Sequence, residues 1–343
     1  MRWALAVLFL GAMALAQSVL DWGGAWETAL QHNPGYQNAL LSRETARMEL
    51  RALEADPSTL IQSLTQARQA LALAELQVQA GRLSLLQSLL AAYTNLHEAQ
   101  ENEKVLEANR ALAARNLAVV RAQRQAGNAT DLDVAKAEAA LRSAELAWKN
   151  AQGQRPALVK ALEAVLGVVL SQEPKLFPLP EPKLSDLSLD SLKEGLQNRL
   201  PSLLQAKQAV ELAELQVSLA DNDYTPRLTL EKARSSLETA RRNQGNTLAQ
   251  ALSALESAYA QVQAAWGQVL TAQEALANQE KTLGVARRSF QAGTISLLQL
   301  EQEEAGRFQA QYSLLQAQNA YWRALAALSV AAGQDLTGLG VEP

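Results

Sequence analysis

Residues 59–126 read TLIQSLTQARQALALAELQVQAGRLSLLQSLLAAYTNLHEAQENEKVLEANRALAARNLAVVRAQRQA and contain no proline. Every seventh residue from Leu64 is apolar. The row consists of Leu64, Leu71, Val78, Leu85, Ala92, Ala99, Leu106, Ala113 and Val120. A strict period of seven predicts a left-handed coiled coil. At 1.5 Å per residue, one helix of this length spans about 100 Å, which exceeds the diameter of a compact domain.

The second half of the chain carries the same kind of pattern. Its large apolar row is Leu248, Leu255, Val262, Val269, Leu276, Leu283 and Phe290. A parallel row of small residues is Ala251, Ala258, Ala265, Ala272 and Ala286. Because the side chains at a contact set the distance between helix axes, alanine in this row predicts close packing.

The chain superimposes on itself after a shift of 166 residues. The shift places QAG at 125–127 on QAG at 291–293, and it places Gly167 on Gly333. Solenoid repeats are much shorter, with about 20 to 50 residues. The repeat therefore predicts a duplicated helical module.

A glycine turn ends the long helix in the first copy. Gly127-Asn128 follows the pattern of a glycine placed just beyond the last helical turn. Thr130 or Asp131 can cap the next helix, which is predicted over 132–166. The first copy is therefore predicted to be a long antiparallel helical hairpin.

The second copy repeats this turn. Gly293-Thr294 ends the second long helix, and either Thr294 or Ser296 can cap a helix predicted over 297–332. Helices of about 30 residues are predicted before the two long ones, over 22–55 and 189–220.

The N-terminus has the features of a secretory signal peptide. Arg2 precedes a short apolar run, and ALA at 14–16 fits an A-x-A cleavage site. The alternative is a buried N-terminal helix.

Prolines 174, 178, 180 and 182 mark a connector between the copies. The predicted organisation is a signal peptide at 1–16, a first helical repeat at 17–170, a proline-rich connector at 171–188, a second helical repeat at 189–335 and a tail at 336–343.

Composition argues against several functional classes. The formal net charge is −4, so no basic face for nucleic acid is expected. Cysteine is absent, which excludes disulfides and thiolate metal sites. No nucleophile, phosphate-loop or metalloprotease motif occurs. We therefore expect no catalytic, cofactor or metal site, and no enzymatic activity.

Several short motifs resemble those of the outer membrane efflux protein family, the TolC-like channels. WETALQHNP at 26–34 resembles the family's opening, and LPSL at 200–203 resembles its counterpart in the second half. Gly127 followed by Asp133-Val134 resembles the family's first tip, and SFQAG at 289–293 resembles the second. Gln299 stands there where the family usually has aspartate.

The resemblance implies a homotrimer that forms a hollow α-helical barrel about 100 Å long in the periplasm. It implies docking of the glycine tips on a membrane-fusion adaptor, which connects the channel to an inner-membrane pump. The predicted docking residues are Gly127, Asn128, Asp131, Asp133, Gly293, Thr294 and Ser296. Family members also contribute two β-hairpins per chain to an outer-membrane barrel.

This sequence leaves little room for those hairpins. A membrane-spanning strand needs about 9 to 11 residues, whereas only the short segments 56–63 and 221–229 are available. Residues 224–230 resemble the stub of one strand. The predicted fold is therefore all-α, with two tandem coiled-coil hairpins and β strands vestigial or absent.

Two functions follow from these expectations. The first is an exported efflux component at the outer membrane or in the periplasm, which conducts small molecules or proteins. The second is a periplasmic coiled-coil scaffold, derived from the same family, without a membrane pore of its own.

Some residues allow two interpretations. Asp131 and Asp133 could form an acidic ring at the entrance, or they could cap a helix and favour its dipole. A row of asparagines could line a wet lumen or fix the register of a seam. This row is Asn95, Asn102, Asn109 and Asn116. Two further sets are interpreted as packing or surface residues, the aromatic Trp148, Tyr312, Tyr321 and Trp322 and the histidines His32 and His97.

Overall fold

The computed structural model describes residues 19–184 and 188–340, so the predicted signal peptide at 1–16 lies outside the described residues. The first copy contains strand β1 (Val19–Leu20) and helices α1 (Trp22–His32), α2 (Pro34–Ala55), α3 (Ile61–Gln125) and α4 (Asp131–Leu166). Strand β2 (Lys175–Leu176) lies in the connector. The second copy contains α5 (Leu189–Lys193), a 3-10 turn (Leu196–Asn198), α6 (Pro201–Ala220), α7 (Arg227–Gln291) and α8 (Leu297–Ala332).

The helices lie side by side in one layer. Towards the glycine turns the order of neighbours is α4, α3, α8, α7, and at the other end it is α2, α3, α6, α7.

The accessible surface is 21018 Å², against about 13,600 Å² for a compact monomer of 37.0 kDa. Even if the 24 residues outside the described ranges were fully extended, they would account for only about 3,800 Å² of this surface. The chain is therefore extended, as the sequence predicts.

The coiled-coil seam predicted for α7 is confirmed from Leu255 to Ala286, whereas Phe290, the last residue of the predicted row, is 38% exposed. Both predicted rows supply its buried residues, which include Leu255, Ala258, Val262, Ala265, Val269, Leu283 and Ala286. In α3, by contrast, Ala99, Leu106 and Ala113 of the predicted row are only partly buried. Leu96, Val105 and Leu117 are buried instead. The reason is that α3 packs against α4 on one side and α8 on the other, so it needs two seams.

The helices predicted over 22–55 and 189–220 are both interrupted. Asn33 precedes Pro34, and this position disfavours helical geometry. The Asn33 side chain accepts a hydrogen bond from the Tyr36 N–H and caps α2. In the second copy, Gly195 adopts a positive φ of 69°, and α6 begins only at Pro201.

Each interruption meets the end of another helix. Gly167, just beyond α4, has a φ of +74°, and a Cβ there would lie 2.1 Å from the His32 carbonyl oxygen. Asn33 also donates from its side chain to the Val165 carbonyl at 2.8 Å. Gly333, just beyond α8, meets the Arg199 backbone in the same way. As a result, α2 continues the line of α4, and α6 continues that of α8.

The core is concentrated around these junctions. One buried cluster contains Trp26, Leu86, Tyr93 and Leu162, and the other contains Leu196, Leu255, Val269 and Trp322. The connector crosses both. The Tyr93 hydroxyl lies 2.9 Å from the Phe177 carbonyl oxygen, and the Trp322 indole donates to the Pro180 carbonyl at 3.1 Å. Burial raises the pKa of Tyr93 to about 12.

The ends of the hairpins opposite the glycine turns contain short turns. Residues 56–60 join α2 to α3, and residues 221–226 join α6 to α7. The strand stub predicted at 224–230 is wrong, because α7 already begins at Arg227. Within the described residues the only strands are the parallel two-residue pair β1 and β2. The all-α prediction is confirmed.

The junction glycines give a stability prediction. Gly167→Ala and Gly333→Ala each force a side chain into a positive-φ residue and against backbone atoms of another segment. We expect each to lower the free energy of unfolding by more than about 2 kcal/mol in urea titrations. Gly245→Ala is the matched control, since open space surrounds that helical glycine, and alanine there should be neutral or stabilising. Equal stability of all three variants would contradict the junction.

Candidate functional site

The first glycine turn has the hydrogen bonding of a Schellman motif. The Gly127 N–H donates to the Arg124 carbonyl at 3.0 Å, and the Asn128 N–H donates to the Gln123 carbonyl at 2.8 Å. Gly127 has a φ of 77°. The predicted glycine termination of α3 is therefore confirmed. The turn supplies hydrogen-bond donors for carbonyl groups of the last turn of α3, which have no partner within the helix.

The second turn repeats this geometry. The Gly293 N–H donates to the Phe290 carbonyl at 2.9 Å, and the Thr294 N–H donates to the Ser289 carbonyl at 2.9 Å. The Thr294 hydroxyl donates to the same Ser289 carbonyl, also at 2.9 Å. Thr294 therefore closes α7, and Ser296 is the residue that caps α8.

Both following helices begin with a capping box. The Asp133 N–H donates to the Thr130 hydroxyl at 3.2 Å, and the Thr130 N–H donates to the Asp133 carboxylate at 2.9 Å. Ser296 and Gln299 form the equivalent pair at 3.2 and 2.9 Å. Gln299 therefore performs the structural role of Asp133 without its charge.

The two tips consequently differ in electrostatics. Hydrogen bonds from Thr130 hold the pKa of Asp133 below its usual value, which agrees with the cap interpretation. Asp131 forms an ion pair with Arg124 at 2.5 Å, but its side chain stays 82% exposed. Leu297 and Gln299 occupy the corresponding positions in the second copy. The acidic residues at the start of the helix therefore belong to the first tip alone.

An ion pair next to each tip is repeated in both copies. Arg121 contacts Glu138 at 2.8 Å, and Arg287 contacts Glu304 at 3.3 Å. Each pair joins the two helices of one hairpin. Because both pairs are largely exposed, they contribute little stability, but they fix the same register in each hairpin.

Sequence reasoning missed the exposed apolar residues near the tips. Leu132 is 63% exposed, Leu297 43% and Phe290 38%. Phe290 belongs to the predicted apolar row of α7, which predicts its burial, whereas Leu132 and Leu297 belong to no predicted row. The arrangement of the helices shows that the rest of residues 19–184 and 188–340 leaves all three exposed.

The remaining candidates do not form a site. Asn95 and Asn109 are exposed, while Asn102 and Asn116 are partly buried. Tyr321 and Trp322 are buried, which confirms the packing interpretation for these two residues. Burial lowers the pKa of His97, which is 4% exposed. His97 is thus a packing residue.

Residues 19–184 and 188–340 lack two kinds of feature. No group of histidine, aspartate or glutamate side chains there could hold a metal ion. No helix in these ranges combines the length and the apolar character needed to cross a membrane.

Two long hairpins with matching tips define the structure, and one of them carries a family signature. Residues 56–168 match the family model of outer membrane efflux proteins. The match covers about a third of the chain and includes α3, the Gly127 tip and α4. The predicted resemblance to outer membrane efflux proteins is confirmed. No curated protein matches the chain in sequence.

Solved structures of outer membrane channels share the fold. The Campylobacter jejuni CmeC channel is 16% identical, with a TM-score of 0.68 over 94% of this chain and 86% of that one. Vibrio cholerae VceC is 19% identical, with a TM-score of 0.67 over 91% and 96%. CusC is 18% identical, with a TM-score of 0.68 over 94% and 98%. These matches show that the chain shares the fold of these channels.

The capping boxes predict equal stability losses in the two copies. Thr130→Ala and Ser296→Ala should each cost about 1 kcal/mol, because each leaves a helix N-terminus without its side-chain acceptor. Urea unfolding measures the change. Thr282→Ala is the control, since that hydroxyl bonds only within its own helix. Losses no larger than the control's would contradict the caps.

The charge difference predicts that the first tip responds more strongly to acid than the second. The pKa of Asp133 is lowered on folding, so its contribution is present above the unfolded pKa and is lost as pH falls through the folded value. Hydrogen exchange, corrected for intrinsic rates, should show the first tip loosening between about pH 6 and about pH 2, while the Gln299 tip changes less. Asp133→Asn should reduce the difference. An equal response at both tips would contradict this assignment.

Proposed function

We propose that three copies of the chain form the periplasmic conduit of an efflux system. In this proposal, the Gly127 and Gly293 tips dock on a periplasmic membrane-fusion adaptor coupled to an inner-membrane pump. The cargo is a small molecule or a protein, which leaves without covalent chemistry. Association with the outer membrane is part of the proposal.

The single layer of helices is the observation that carries the proposal. A layer one helix thick has two edges, here α2 and α4 on one side and α7 on the other. No substantial contact joins α4 to α7 within the described residues. Closing such a layer through its edges, with further copies, encloses a lumen whose length is that of α3, about 98 Å.

The positions of the tips support the docking proposal. Because α8 runs antiparallel to both α3 and α7, the long helices α3 and α7 run in the same direction. Gly127 and Gly293 therefore lie at the same end of the layer. Asn128 and Thr294 are exposed there, so both turns can meet one partner.

The turns at 56–60 and 221–226 favour a second candidate. They contain no strand, so the chain could instead be a periplasmic scaffold that has no membrane pore of its own. This candidate predicts release by osmotic shock without detergent. Retention in the outer membrane after carbonate washing would contradict it.

Site-specific photocrosslinking tests the conduit. A photoreactive residue at Asn128 or Thr294 should capture an adaptor in the periplasm, because these positions lie in the exposed tips. The matched controls are Ser58 and Asn222, which lie in the turns at the opposite end and should not capture it. Native mass spectrometry should give three copies. A monomer without tip-specific capture would overturn the conduit.

A further inference from the structure

The connector and α5 cross one side of the helical layer. Arg155 on α4 contacts Glu173 at 2.7 Å, where the connector begins. The connector then bonds Tyr93 on α3 and Trp322 on α8, and α5 packs on α7. We call this side of the layer the connector face and the other side the open face.

The asparagine row of α3 lies on the open face. Gln100 faces the connector, because its side chain donates to the Pro174 carbonyl at 2.8 Å, and Tyr93 lies one heptad before it. Asn95 and Asn102 follow these two residues by two positions, which is about 200° around a helix. The row continues with Asn109 and Asn116. Because Asn95 and Asn109 are exposed, the row is a surface feature rather than a buried polar seam.

A glutamine row of α8 lies on the same face. Tyr321 and Trp322 donate to carbonyl groups of the connector. Gln316 precedes them by five and six positions, about 140° and 240° around the helix, so its side chain points away from the connector. Seven-residue steps lead from Gln316 to Gln309 and Gln302, and all three are exposed.

A row without charges lies on the open face of α7. The Trp266 and Tyr321 rings lie 5.3 Å apart between centroids, and Glu256 contacts α5 at 2.6 Å, so Trp266 and Glu256 mark the connector face of α7. Gln268 lies about 200° around the helix from Trp266, and Gln261 lies about 140° from Glu256. The row through these two glutamines is Ala254, Gln261, Gln268, Ala275, Thr282 and Ser289.

The repeat extends the open face to α4. A shift of 166 residues places the glutamine row of α8 on Lys136, Ser143 and Asn150, which are exposed. Lys136 is the charged member of this row, close to the tip. At the level of the junctions the glutamine row reaches Arg323, whose charge is paired with Glu98 at 2.7 Å. The other members of the four rows carry amide, hydroxyl or methyl groups.

Exposed charges of α3 occur instead on the connector face. Lys104 and Glu107 follow Gln100 by four and seven positions, so they lie within about 40° of it around the helix, and both are exposed. Glu107 is also two positions before Asn109, which is exposed on the other side of the same helix. The two faces of the layer therefore differ in charge.

Geometry decides which face lines the lumen of the proposed conduit. Four helices from each of three copies, at about 9 to 10 Å between axes, make a ring about 36 Å in diameter. Subtracting a helix width of about 10 Å leaves a lumen about 26 Å across. Three connectors inside it, each with an α5 helix about 10 Å thick, would leave almost no opening. The connector face therefore lies outside the ring and the open face inside.

We infer that the open face lines the lumen between the junctions and the tips, and that this amide-rich wall admits cargo of either charge. This inference rests on the proposed conduit and adds the class of cargo that it accepts. A pore lined by charges of one sign concentrates ions of the opposite sign and repels the others. A wall of amides, hydroxyls and methyl groups exerts neither effect, so size rather than charge selects the cargo.

Thiol accessibility tests which face is inside, because the chain has no cysteine of its own. Asn109→Cys and Glu107→Cys are a matched pair, since both positions are exposed and lie on opposite faces of α3. In the purified oligomer, a polyethylene glycol maleimide wider than the lumen should modify Glu107→Cys and spare Asn109→Cys, whereas N-ethylmaleimide should modify both. Modification of both variants by the large reagent would overturn the inference.

The charge of the wall is tested with cationic and anionic methanethiosulfonates of similar size on Asn109→Cys at low salt. The ratio of their rates should stay within about threefold of the ratio for the same variant unfolded in urea, because a neutral wall attracts neither reagent. Adding Asn102→Asp and Asn116→Asp should favour the cationic reagent by about tenfold. A comparable bias before the carboxylates are added, or no response to them, would overturn the uncharged lumen.

Native mass spectrometry of the unmodified protein separates the two levels of the proposal. A closed trimer that fails either thiol test would overturn the inferred wall and leave the conduit standing. A monomer at all concentrations would overturn both.

Discussion

The structure depends on the side-by-side packing of helices, with α3 lying between neighbours on two flanks. Along α7 a single seam of Leu255, Val262 and Val269 is buried against the neighbouring helices. α3 buries one seam against α4 and another against α8, so it joins the two copies. Because α4, α3, α8 and α7 follow one another as neighbours and no substantial contact joins α4 to α7 within the described residues, the helices form a layer, and a layer of finite width has edges.

The glycine junctions convert four helices into two continuous lines. Gly167 and Gly333 allow α4 and α8 to end against the backbone of the segments that start α2 and α6. Any side chain at these positions would separate the ends. The connector then crosses the wall at the level of the junctions, where Tyr93 and Trp322 bond its carbonyl groups. The buried core is therefore concentrated at this level, and the parts of the hairpins that end in the glycine tips have fewer buried residues.

Much of this fold could be predicted from local patterns. The bounds of α8 match the prediction, and α3 begins only two residues later than predicted. The agreement is close because proline spacing and glycine turns are short-range signals. The heptad row in α3 identified the buried Val78 and Leu85 but missed Leu96, Val105 and Leu117, since periodicity does not reveal how many neighbours a helix has. Thr294 fitted two roles equally well, and only the turn geometry assigned it to the end of α7. The break at Asn33 was visible in the Asn-Pro pair.

The docking role of the tips remains a prediction. The structure establishes their shared end of the layer, their matching Schellman turns and the difference between Asp133 and Gln299. A partner's preference for one tip cannot be predicted from those features, because it depends on the partner's surface.

Electron cryomicroscopy of the purified protein tests the central claim most directly. If the layer closes through its edges, side views should show a rod about 98 Å long and end views should show a hollow ring of helices. A compact particle, or an open row of helices without a lumen, would contradict the account.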